Sequence, residues 1–211
     1  MVEIIVSILD PHEEGNYPGM TKLVAQSLEA CVNDARDRTL DLVHDLPDDQ
    51  FRVPLLKTIN PFLWEIGHVA YFQEYWVLRH AAGRPPMRSD ADGLYDSAKV
   101  HHDSRWSLPL PSRCDTIDYL NAIRDRVLNR ISDCGLSERD EYFMWLSIFH
   151  EDMHAEALTI TRQTLGYPAP SFSSTLGPKH VASSGPPLHG NATVPGGKCR
   201  RVDCAKWIHF R

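Results

Sequence analysis

Four stretches of this 211-residue chain carry apolar residues at helical spacing, and no convincing strand pattern falls between them. The first runs from Met20 to about Leu46, where Leu23, Leu28, Cys31, Ala35, Leu42 and Leu46 mark one face and Pro47 closes the segment. Asn60-Pro61 announces the second, with an N-cap candidate followed by proline at the first helical position, where its missing N–H is not needed. That helix continues through PFLWEIGHVAYFQEYWVLRH and stops near Gly83, before Pro85-Pro86. The third spans Thr116 to about Ser132, with Asp115 or Thr116 as its cap. The fourth opens at Ser137, with Asp140 three residues on as a capping partner, and ends at Gly166. Four long helices without strands predict an all-α fold, a four-helix bundle.

Residues 84–114, including DSAKVHHDSRWSLPLP, lack clear periodicity and predict a long loop between helices 2 and 3. Loops of that length inside a compact domain are often functional, and this one leaves simple up-down-up-down topology open. Residues 1–19 predict a flexible lead-in, residues 20–167 the bundle, and residues 168–211 a disordered tail. The tail's opening, PAPSFSSTLGPKHVASSGPPLHG, has the composition of a linker. The N-terminal VEIIVSIL is short, carries Glu3 instead of a basic leader, and does not predict a signal peptide. No run reaches transmembrane length. With net charge −6 and pI near 6.0, there is no electrostatic case for nucleic acid or an anionic membrane. Five scattered cysteines fit reduced thiols in a cytoplasmic protein. Cys199 and Cys204 could clip a metal, but two thiols in a loose tail are more often free.

Inside the fourth helix, FHEDMHAEA contains a literal H-E-x-x-H: His150, Glu151 and His154. Four apart on a helix, the two imidazoles lie about 5–6 Å apart on one face, right for two ligands of one metal ion. The zinc-protease version of this motif also needs a third ligand and uses the intervening glutamate as general base. The metzincin extension would place Gly and His where Ala157 and Ile160 stand. A downstream glutamate ligand is also missing, because Glu156 is the last glutamate in the chain and sits roughly 200° around the helix from His154. Asp203, in the tail, is the remaining carboxylate candidate. These features argue against a protease.

In a bundle the third ligand comes from a neighbouring helix. His68 shares a stripe with Trp64, Phe72 and Tyr75 and so points inward. Alone, such a histidine is as often a hydrogen-bonded core residue; beside an i, i+4 pair it becomes the favoured ligand. His101 and His102 are the rivals, on a polar loop that faces solvent or substrate. Three neutral imidazoles leave coordination positions open, which suits catalysis, and are compatible with Zn, Fe, Ni or Cu.

At these residues the chain resembles the N-terminal DinB-like domain of ergothioneine-type sulfoxide synthases, and within that group the selenoneine synthases. The resemblance rests on NPFLWEIGHVAYFQEYWVLRH, DGLYDSAKVHHDSRWSLPLPS and FHEDMHAEALTITRQTLGYP, in that order, and covers about residues 20–170. It implies a DinB-like bundle holding non-heme Fe(II) on His68, His150 and His154, with Zn or Ni as alternatives. Its implied small-molecule partners are hercynine, a thiol or selenium donor and O2, with no nucleic acid or membrane partner and a homodimer allowed. Arg105 matches the position that holds the donor's carboxylate. Glu156 or Glu151 would hold a ligand histidine in its tautomer. Members of the family continue into a formylglycine-generating-enzyme-like domain that completes the hercynine pocket. Here VPGG (residues 194–197) and KWIH (residues 206–209) resemble scraps of its opening, so turnover by this chain alone is not implied. The alternative is a stand-alone DinB-like metal bundle, a thiol transferase or a non-catalytic binding module.

Overall fold

The computed structural model describes residues 18–132 and 135–172, with backbone alone for residues 18–25. These residues lie within the first of two units of the chain, residues 1–177. Residues 1–17 of the expected lead-in, Cys199, Cys204, Asp203, VPGG and KWIH lie outside the described residues, while Pro18 and Gly19 already belong to the first helix. Five α-helices carry the fold: α1 (Pro18–Asp41), α2 (Phe62–Gln73), α3 (Ala91–Tyr95), α4 (Arg113–Ser132) and α5 (Glu138–Thr164). No strand occurs among the described residues. No helix among them is long and apolar enough to cross a membrane.

The two ends of α5 follow the local code. Ser137 and Asp140 form a capping box, each side chain accepting from the other's backbone N–H. Gly166 takes φ 69° just beyond the helix, a left-handed turn that residues with a Cβ resist. Elsewhere the boundaries move. Pro61 is the N-cap of α2, and its carbonyl accepts the Glu65 N–H at 2.9 Å. Ser112, not Asp115 or Thr116, caps α4: its hydroxyl accepts the Asp115 N–H at 3.2 Å, and its carbonyl accepts from Thr116. The first helix ends at Asp41, short of Leu46, where Val43 N–H bonds Leu40 O with i→i−3 spacing. Leu42, Val43 and Leu46 are buried all the same, folded into a cluster with Phe51, Phe62, Ile66 and Leu158. Their helical spacing thus reported burial, which a turn also satisfies.

The second predicted helix is longer than α2. From Glu74 to Ala81 it continues with π-helical winding, beginning where Gln73 and Glu74 turn buried polar side chains into the bundle. The long connection after it is built, not bare: it contains α3 and a 3-10 turn at His102–Trp106.

Packing is set by the four long helices. α1 packs on α4 and α5, and α2 packs on the same two. The first two long helices, α1 and α2, therefore lie across the bundle from one another, as do α4 and α5, while α2 and α4, joined by the long connection, are neighbours. The larger core cluster joins Leu28, Val32 and Ala35 of α1 to Trp64, Val69, Leu120, Ile123, Met144 and Ile148. At the α1 side Arg36 is fully buried. It gives Nε and Nη2 to the two Glu151 oxygens (2.7 and 3.2 Å), Nη2 to Gln73 Oε1 (3.0 Å), and Nη1 to the Leu120 carbonyl. One guanidinium thus touches α2, α4 and α5 from α1.

Candidate metal centre

Helix α2 and helix α5 lie side by side, and their facing surfaces bring His68, His150 and His154 together. One nitrogen from each of the three falls within 4.8 Å of the others. The i, i+4 spacing on α5 sets His150 Nε2 3.1 Å from His154 Nε2. The His68 ring centroid lies 5.1 Å from that of His150 and 4.8 Å from that of His154.

Hydrogen-bond logic fixes which nitrogens face inward. The Tyr95 carbonyl can only accept, so His68 Nδ1–H donates to it at 2.7 Å and Nε2 keeps its lone pair. The Glu65 carboxylate stands 2.5 Å from His154 Nδ1 and orients that ring in the same way. His150 lies flat on Phe72, with centroids 3.5 Å apart, and its Nδ1 is buried without a partner. Burial, with His154 beside it, pushes His68 down to about 4. Burial, with His154 and His68 nearby, also holds His150 well below the usual imidazole range. Both rings are therefore neutral near pH 7 and lose no proton on binding a cation. Two buried imidazole nitrogens at 3.1 Å need a proton or a cation between them, so the donor set fits a metal ion.

The expected residues divide. His101 and His102 are outside the cluster: His101 is exposed, and His102 bonds Ile59 O at 2.8 Å and Asp103 at 2.9 Å. Glu151 gives both oxygens to Arg36, facing away from the imidazoles, so it is not placed as a protease base. Glu156 is exposed. The carboxylate that touches a site imidazole is Glu65, which sequence reasoning passed over. Its signal was in the chain: Glu65 and His68 are i, i+3 and share a side of α2. Arg105 is half-buried beside the centre. Its guanidinium carbon lies 3.7 Å from the centroid of the Trp64 ring, and Trp64 stacks on His68 at 4.8 Å and 9°. Nη1 donates to Asn60 Oδ1 at 2.6 Å, while Nε is buried without a partner.

The family model described as the DinB superfamily matches residues 32–158, more than half of the chain and the span that holds all three histidines. The chain belongs to the DinB superfamily. Over 127 residues this DinB chain is 32% identical to a hercynine oxygenase of Mycolicibacterium smegmatis. It is 32% identical to one of Mycobacterium tuberculosis and 30% identical to one of Mycolicibacterium thermoresistibile. Each match covers 59% of this chain but only 28–29% of the relative. The DinB chain thus spans under a third of the length of these curated relatives.

Proposed function

We propose that this chain is the iron-binding domain of an O2-dependent synthase acting on hercynine, with Fe(II) held by His68, His150 and His154. The observation that carries this reading is the convergence of three imidazoles from two helices, two of them oriented by acceptors behind them. Similarity to hercynine oxygenases supports the choice of substrate. Iron bound there supplies the redox chemistry for joining sulfur or selenium to the imidazole carbon of hercynine.

The chain's own residues do the rest. Tyr95 O and Glu65 hold two ligand rings in their binding tautomers. Phe72 covers one face of His150 and keeps water from it. Arg105, with a free buried Nε, receives the carboxylate of the sulfur or selenium donor; its planar fork suits such a group. Trp64 keeps that guanidinium within reach of the centre by stacking between it and His68.

The test is the metal content of protein purified without added metal, followed by O2 uptake and product mass with hercynine present. Iron at about one per chain, with an optical or EPR spectrum that hercynine perturbs, is the expected result. Retained Zn or Ni with no response to hercynine would favour the stand-alone bundle, a thiol transferase or binding module.

A further inference from the structure

Helix α3 is too short to be stable by itself, yet it is anchored to α2 and its π-helical extension at every turn. Asp92 takes a forked bond from Arg79 (2.5 and 3.1 Å). At its other end two successive carbonyls are left free by the end of the helix. The Leu94 carbonyl accepts Trp64 Nε1–H at 2.8 Å, and the Tyr95 carbonyl accepts His68 Nδ1–H at 2.7 Å. Trp64 and His68 are one turn apart on α2, so the two carbonyls meet the two stacked rings in register.

Between those rings in sequence stands Gly67. The Tyr95 side chain lies directly on it: a Cβ at position 67 would fall 2.7 Å from Tyr95 Oη, and closer still to Cε1 and Cζ. Tyr95 is fully buried and stacks on Tyr119 at 6.3 Å, so its ring cannot swing into solvent to make room. Any side chain at 67 must push Tyr95 away, and the carbonyl that holds His68 moves with it. By contrast, Gly93, in the same short helix, has open space where a Cβ would go.

We propose that Gly67 and Tyr95 are positioning residues of the metal centre: the bare Cα of Gly67 seats the Tyr95 ring, and that contact sets the carbonyl that fixes the tautomer and angle of His68. The inference rests on the metal-centre reading and adds to it. Sequence patterns point to the ligands; the seat beneath one of them is a backbone approach that only a glycine allows.

The test uses Co(II) as probe on the full chain, with helix content and thermal midpoint followed alongside. In the metal-free wild type, 15N NMR should show His68 as the Nδ1–H tautomer. Gly67→Ala should weaken Co(II) binding by roughly ten-fold or more, the scale of lost support behind a ligand, and alter the Co(II) absorption bands. Adding Tyr95→Leu, which removes Cε1, Cζ and Oη but keeps the backbone carbonyl, should restore most of the affinity. Gly93→Ala should bind like wild type. An Nε2–H tautomer at His68, wild-type affinity in Gly67→Ala, or a folded double variant that fails to recover would each overturn the proposal. Should Gly67→Ala alone not fold, the double variant and the wild-type tautomer decide the matter. A wild type that binds no Co(II) removes the metal-centre reading and this inference with it. Wild-type binding with an indifferent Gly67→Ala removes only the inference.

Discussion

Glu65 is nearly fully buried, and its bond to His154 gives it a role that charge alone would not. A carboxylate behind a ligand imidazole raises the basicity of the coordinating nitrogen and holds the ring's rotation. Glu65→Ala should therefore reduce metal affinity by about 10–100-fold, with Glu65→Gln in between because its amide oxygen still accepts from Nδ1–H. A competition titration at fixed pH reads this directly, and Glu65→Ala titrating like wild type would remove Glu65 from the centre. At this scale the clustering of His68, His150 and His154 was legible in the sequence, because i, i+4 spacing and an inward aromatic stripe are local properties. Their supports were legible only in part. Glu65 left an i, i+3 trace, whereas Tyr95 acts through a backbone carbonyl, which every residue possesses and no pattern marks.

Among the elements, α5 is the one whose limits the sequence specified, since Ser137, Asp140 and Gly166 act on their own neighbours. Helix α3 and the π-helical turn had no such signal. A five-residue helix is held by its contacts with α2, and nothing in the residue types of Glu74–Ala81 marks the change to i→i+5 bonding. The same difference between local and distant causes explains Glu151, whose motif pointed to chemistry while its carboxylate went to Arg36. That pair is buried on both sides, with side-chain exposures of 0% and 2%. Removing one partner strands a charge inside the bundle, so Arg36→Met should lower unfolding stability by about 3–5 kcal/mol. Arg36→Met with Glu151→Met should recover much of that loss in urea denaturation. A single variant within about 1 kcal/mol of wild type would mean that water reaches the pair.

Across the whole molecule, the arrangement in which α1 and α2 each pack on α4 and α5 has a kinetic consequence. The contacts that close the bundle span long stretches of chain: Arg36 to Glu151 covers 115 positions, and Glu65 to His154 covers 89. Helical bundles that zip up from neighbouring hairpins fold quickly because their contacts are local. Here α1 does not pair with α2 nor α4 with α5, and the neighbours α2 and α4 are separated by the long connection, so folding is expected to be slow for an all-α domain. Two of the three imidazoles arrive with α5, the last of the five helices to be synthesised. Stopped-flow refolding with and without Co(II) should then give the same folding rate, with the metal's effect confined to slower unfolding; a rate that rises with Co(II) would place the ion in the folding nucleus. A nascent chain, on this account, has nowhere to put a metal until α5 has emerged and closed against α2.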